Sequence, residues 1–189
     1  MRIIGGERKG NKLAEWHGLP VRPLRDRVRT ALFDVLRELV MGADVLDLFA
    51  GTGAVGLEAL SRGASRATLV ELSPRVAHLI QENVRRLDYQ DKARILPGDA
   101  LERIRELASR GEQFDLVFIG APYNTHLGRK ALQTMSEYPP LKPQAIVVVE
   151  VHDKESLSER HGPLQLERRR AYGETRLDFF RFVPERRSD

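Results

Sequence analysis

Residues 45–56 constrain this chain more than any other stretch. Val45-Leu46-Asp47-Leu48 is a short apolar run of strand composition, and Phe49-Ala50-Gly51-Thr52-Gly53 supplies glycines that let the backbone turn tightly and come close to a ligand. Ala54 to Leu60 then reads as helix, so the stretch is a strand, a ligand loop and a helix N-terminus. The alternation continues. Arg66 to Val70, Lys92 to Leu96, Phe114 to Ile119 and Ala145 to Val149 read as strands, with helices between them. The helix after Glu71 carries the stripe Val76, Leu79, Ile80, Val84 and Leu87, with Ser73 as cap and Pro74 at its first position. Two more helices are expected at Leu101 to Ala108 and at roughly Leu127 to Ser136. Strands alternating with helices predict an α/β fold with a doubly wound, mostly parallel sheet, whose ligands bind at the C-terminal ends of the strands.

Gly51-x-Gly53-x-x-Gly56 fits a dinucleotide fingerprint, with Glu71 where a ribose-binding acid belongs. Asp47 argues for a different ligand. A carboxylate near the end of the strand would repel a pyrophosphate, whereas S-adenosylmethionine carries an ammonium and a sulfonium and no phosphate. An acid followed by Phe49-Ala50-Gly51-Thr52-Gly53 resembles the class I methyltransferase motif. A nucleotide-dependent oxidoreductase and a tight turn with no ligand are the competing readings.

The chain has 189 residues, enough for one domain with a small appendage. No apolar run is long enough to cross a bilayer, and the N-terminus lacks the apolar core of a signal peptide, so a cytoplasmic protein without a membrane partner is expected. Without cysteine there are no disulfides or thiolate ligands, and the five histidines show no paired metal-ligand spacing, so no metal is expected. Net charge is +4, but it is unevenly placed: residues 1–30 hold eight basic residues against three acidic ones. That segment suits a polyanion partner, or is a solvated charged face.

Residues 1–24 read as a small basic hairpin outside the main domain and an extended linker bracketed by Pro20 and Pro23, leaving residues 25–189 as the ligand-binding domain. Asp26 is a plausible N-cap for a helix bearing Val28, Ala31, Leu32, Val35, Leu36 and Leu39, with Arg22, Arg25 and Arg29 around its start. Asp99 after the third strand is either a helix cap or an acceptor for an adenine amine. A proline-rich connection from Pro139 to Pro143 precedes the fifth strand, and Leu164 to Arg170 with Thr175 to Phe182 forms a closing hairpin around Tyr172-Gly173.

Taken together the chain resembles the bacterial 16S ribosomal RNA guanine-N2 methyltransferases of the RsmD type. The likeness is carried by Arg2-Ile3-Ile4, Arg22-Pro23 with Asp26-Arg27-Val28-Arg29 and Ala31-Leu32-Phe33, and the segment from Val45 to Gly53. It continues in Glu58 to Ala64, Gly98-Asp99-Ala100, Phe114 to Phe118 and Tyr172-Gly173-Glu174-Thr175. The resemblance implies a seven-stranded Rossmann-like methyltransferase sheet with the hairpin as an N-terminal extension. It implies that S-adenosylmethionine is held by Asp47, Phe49, Ala50, Gly51, Thr52, Gly53, Glu71, Leu72, Asp99 and Ala100. Arg2, Arg8, Lys9, Lys12, Arg22, Arg25 and Arg29 would face 16S rRNA or a small-subunit assembly intermediate, with the protein acting as a monomer.

The resemblance also implies a catalytic Asp-Pro-Pro-Tyr after the fourth strand, where this chain has Gly120-Ala121-Pro122-Tyr123. An exocyclic amine is a poor nucleophile because its lone pair is delocalised into the ring, and acceptors on its N–H bonds help free that pair. Gly120 offers no carboxylate. What remains is the Ala121 carbonyl and the Tyr123 ring, which can stack on an extruded base. Asp115 lies at the wrong end of its strand, while Asn124 or a water could stand in. Slow or absent transfer is therefore expected, with a binding-only protein as the alternative.

Overall fold

The computed structural model describes residues 1–15, 18–19 and 21–184; the expectation for Pro20 lies outside them. Among the described residues there are five helices and eight strands, and helices alternate with the first five strands as expected. The chain runs α1 (Asp26–Val35), β1 (Asp44–Leu48), α2 (Ala54–Ser61), β2 (Arg66–Glu71), α3 (Pro74–Arg86), β3 (Ala93–Pro97) and α4 (Ala100–Ser109). It continues through β4 (Phe114–Ile119), α5 (Leu127–Glu137), β5 (Leu141–His152), β6 (Arg160–His161), β7 (Leu164–Tyr172) and β8 (Thr175–Phe182). The sheet order is β3-β2-β1-β4-β5-β8-β7-β6, parallel from β3 to β5 and antiparallel beyond.

Among the described residues the sheet has eight strands, one more than the seven expected. The addition is the two-residue β6, which pairs with the edge of β7. The fifth strand also starts earlier than expected, at Leu141. It keeps Pro143 near its start and kinks at Gln144, whose φ is +68°, where the register with β4 shifts.

Strand alternation explains the two-sided core. Val45, Leu116, Phe118, Ile146 and Val148 face α1, α2 and α3, while Leu46, Leu48, Val117, Ile119, Val147 and Val149 face α4 and α5. Residues in register on neighbouring strands therefore share a face.

The N-terminal segment departs from expectation. It is a ribbon pinned by the Arg2–Lys12 bridge, but it does not stand outside the domain: Ile3 and Leu13 belong to the core beside α1–α3. Ile4 N and Gly5 N each donate to the Glu58 carboxylate at 2.8 Å, and Ala14 N donates to Asn83 Oδ1 at 2.6 Å. Ile3, Leu13 and Leu24 thus share the main core. Asp26 is the first residue of α1, not its cap, which is Arg25 without a side-chain bond. That helix stops at Val35, leaving Leu39 beyond its end and exposed.

Candidate active site

The rim of the sheet is built first by the glycine loop. After β1 the chain reverses through Phe49 (φ +62°) and enters α2 at Gly53, whose φ of +76° strains any side chain and where a Cβ would press on Ile80 and Leu69 at 3.1 and 3.2 Å. Asp47 points to the α1–α3 side, where its Oδ2 accepts from Gly56 N at 2.9 Å. It is only 1% exposed, and burial pushes its pKa up to about 7, with the Gly56 N–H working against that and the charges of Glu71 and Glu150 adding to it.

A cleft of about 350 Å³ opens at the C-terminal ends of β1, β2 and β4, a size suited to a small-molecule ligand. Phe49, Gly51, Glu71, Leu72, Asp99 and Ala100 form one wall. Gly120, Ala121, Pro122 and Tyr123 form the other. Asp47, Ala50, Thr52 and Gly53 lie behind the wall instead of on it. They act on the loop: the Thr52 carbonyl accepts from Asn83 and the Asp47 carboxylate anchors the first turn of α2. Of the loop residues expected to hold the cofactor, Phe49 and Gly51 line the cleft and these four support the loop from behind.

Glu71 uses both carboxylate oxygens on the backbone, Oε2 accepting from Gly51 N at 3.0 Å and Oε1 from Ser73 N at 2.8 Å. Each oxygen keeps a second lone pair for a hydroxyl in the cleft. Asp99 caps α4 through Oδ1, which accepts from Leu101 N and Glu102 N. Its other oxygen makes no bond within the helix, so capping and facing the cleft are compatible. Leu72, 69% exposed, is an apolar flap beside them.

The second wall contains a residue that sequence reasoning missed. Glu150, near the end of β5, lines the cleft, and its Oε1 accepts from Tyr123 Oη at 2.7 Å. The same phenol lies 2.9 Å from Thr175 Oγ1, and the ring meets His152 edge-on. Burial raises the Glu150 pKa above the ordinary glutamate value, while the Tyr123 bond and the Arg22 charge pull it back. Burial also pushes the Tyr123 phenol up to about 12. Beside Gly120 the space is taken by Phe118: a Cβ on Gly120 would stand 2.7 Å from its Cε1. Asp115 is at the far end of β4, bonded to Lys142 and Asp44 N, and Asn124 is outside the cleft.

Of the seven basic residues, Arg22 lies at the cleft itself, its guanidinium 4.5 Å from the centre of the Tyr123 ring. Arg2, Lys9, Lys12 and Arg25 are exposed, and Arg8 is half-buried against Tyr89 and Asp88. Arg29 cannot face RNA. It is fully buried, donating to the Arg2 carbonyl at 2.6 Å and to Asp26 at 3.2 Å, with its Nε 3.6 Å from Glu58 Oε2.

Residues 1–181 match the family model described as Conserved hypothetical protein 95. The chain is 36% identical over 150 residues to the Escherichia coli K12 protein named Ribosomal RNA small subunit methyltransferase D, covering 79% of this chain and 74% of that protein. The chain belongs to this RsmD-type methyltransferase family. A Haemophilus influenzae member with the same name is 33% identical over 158 residues, covering 83% of this chain and 81% of that one. The solved structure of Escherichia coli yhhF superposes with a TM-score of 0.85 at 30% identity, over 98% of this chain and 99% of the other.

S-adenosylmethionine is the cofactor of the RsmD-type family, and the cleft fits it on chemistry. Glu71, Asp99 and Glu150 line a partly apolar cleft with three carboxylates, an arrangement that favours a cation and disfavours a pyrophosphate. Glu71 has acceptors for a ribose diol, and Leu72 offers apolar cover to a flat base. When bound, the cofactor supplies an electrophilic methyl carbon on a sulfonium.

Proposed function

We propose that the protein methylates the exocyclic N2 amine of a guanine in 16S ribosomal RNA, acting on the RNA or on a small-subunit assembly intermediate. The observation that carries this reading is the meeting of Tyr123 and Arg22 at the mouth of the acidic cleft. An aromatic face beneath a cation is a place for an unstacked base whose phosphates are anionic, and the exposed Arg2, Lys9, Lys12 and Arg25 extend positive charge outside it. The family relatives named as small-subunit ribosomal RNA methyltransferases support the same substrate class. Such a substrate places the protein in the cytoplasm.

Gly120 favours a second reading, a protein that binds cofactor and RNA without transfer. Losing one well-placed acceptor costs about 10²–10³ in rate, by analogy with deletion of an oxyanion-hole donor. Labelled S-adenosylmethionine with unmethylated small ribosomal subunits separates the two. Incorporation above background rejects the binding-only reading, and its absence with intact cofactor binding rejects the enzyme.

The motif aspartate cannot simply be put back. Gly120→Asp forces the buried Phe118 ring to move and is expected to cost about 1–3 kcal/mol of stability. Thermal denaturation checks this; an unchanged melting temperature would mean that the ring yields freely.

A further inference from the structure

Parallel register places a second carboxylate beside the missing one. Ile119, the last residue of β4, pairs with Val149 of β5, so the residues that follow are Gly120, just past the end of β4, and Glu150, still within β5. Both positions point to the α1–α3 face, since Phe118 and Val148 two residues earlier pack there. Adjacent strands lie about 4.8 Å apart, and both residues line the same cleft. Glu150 is tethered through Oε1 to Tyr123, while among the described residues Oε2 has no hydrogen-bond partner.

We propose that Glu150 is the proton acceptor for the target amine, standing in for the carboxylate that Gly120 lacks. This rests on the methyltransferase reading above. Tyr123 supplies the platform for the base and, through its phenol, fixes the direction of the Glu150 carboxylate. Glu150 Oε2 accepts one N–H of the amine, which withdraws its lone pair from the ring. That lone pair forms the bond to the methyl carbon as the carbon–sulfur bond breaks, with sulfur keeping the electron pair. The nitrogen, now positively charged, gives its surplus proton to Oε2, and the carboxyl later releases it to water. The group titrates among Tyr123 and His152 on the platform side, Arg22 from the linker, and Asp47 from β1. Burial makes it a stronger base than a surface glutamate.

The test uses the full chain with S-adenosylmethionine and unmethylated small ribosomal subunits. Glu150→Gln is expected to lower kcat about 10²–10³-fold, a much larger change than the weakening of cofactor binding that loss of one cleft carboxylate brings. The wild-type rate should rise with pH through the Glu150 ionisation, a limb absent in Glu150→Gln. Tyr123→Phe, which removes a bond that stabilises the carboxylate, should move that limb to higher pH. Without any turnover, calorimetry with guanosine 5′-monophosphate and inosine 5′-monophosphate reads the same contact: the wild type should prefer the nucleotide bearing the 2-amine, and Glu150→Gln should lose that preference. A Glu150→Gln rate within threefold of wild type, or a retained preference, overturns the acceptor and leaves the guanine reading standing. Transfer to an adenine amine with the same Glu150 dependence keeps the acceptor and overturns the guanine reading. No transfer by the wild type overturns both.

Discussion

Glu58→Ala is expected to remove about 3–5 kcal/mol of folding stability, the range for breaking a buried ion pair and leaving one charge behind. Glu58 is fully buried in α2, and four donors converge on it. Ile4 N and Gly5 N bind its two oxygens at 2.8 Å, Arg62 Nε binds Oε1 at 2.8 Å, and Arg29 Nε stands 3.6 Å from Oε2. Arg29 is the reason the cost is high. Its guanidinium is sealed from water, and burial already lowers its pKa from the ordinary arginine value against the pull of Glu58 and Asp26. Without Glu58 its partners among the described residues are Asp26 and the Arg2 carbonyl. The ribbon should loosen at the same time, so trypsin should cleave after Arg8 and Lys9 faster than in the wild type. Glu82→Ala, which breaks an exposed pair with Arg86, is the contrast and should change stability by less than about 1 kcal/mol. Urea denaturation of both variants checks the pair; a Glu58→Ala loss no larger than that of Glu82→Ala would contradict the anchor.

The second large effect is a pH dependence owed to Asp47. Its folded pKa, about 7, is above the ordinary aspartate value of 3.8, so the folded protein holds a proton there that the unfolded chain has released. The stability this contributes is fully present below pH 3.8 and is lost as pH rises through about 7. A shift of about three units corresponds to about 4 kcal/mol across that window. Asp47→Asn should flatten this part of the stability curve and be the more stable protein at pH 8. A slope between pH 4 and 8 identical to that of the wild type would rule out Asp47 as its source. A bound cation in the cleft should relieve the mutual repulsion of Asp47, Glu71 and Glu150, so S-adenosylmethionine binding near pH 7 should release a proton. Calorimetry in buffers of different ionisation enthalpy detects that release.

The fold was legible because its signals are local. The glycine loop, the Ser73-Pro74 helix start and the apolar strands each announce themselves within a dozen residues, and their alternation carries the doubly wound sheet. The cleft walls at Phe49, Gly51, Glu71 and Gly120 to Tyr123 followed, since strand C-termini converge in such a sheet. Burial of single charged side chains was less visible. Arg29 reads in sequence like the exposed basic residues of its segment, although it stands three residues from both Asp26 and Leu32, on the inner side of α1. Asp47 sits at an alternate position of an apolar strand, and only the packing of α2 shows that it is buried and accepts from Gly56 N. Glu150 carried no local mark. It follows an apolar run in a strand expected to end at Val149, and its place beside Gly120 depends on a register between strands that sequence spacing does not report.

The identity of the methylated nucleoside decides between an enzyme acting on guanine and the other readings. Unmethylated small ribosomal subunits incubated with the protein and labelled S-adenosylmethionine can be digested to nucleosides and the label located by mass spectrometry. Label in N2-methylguanosine, dependent on Glu150, is the predicted result. Label confined to another nucleoside, or none in the RNA while the protein still binds the cofactor, would contradict it.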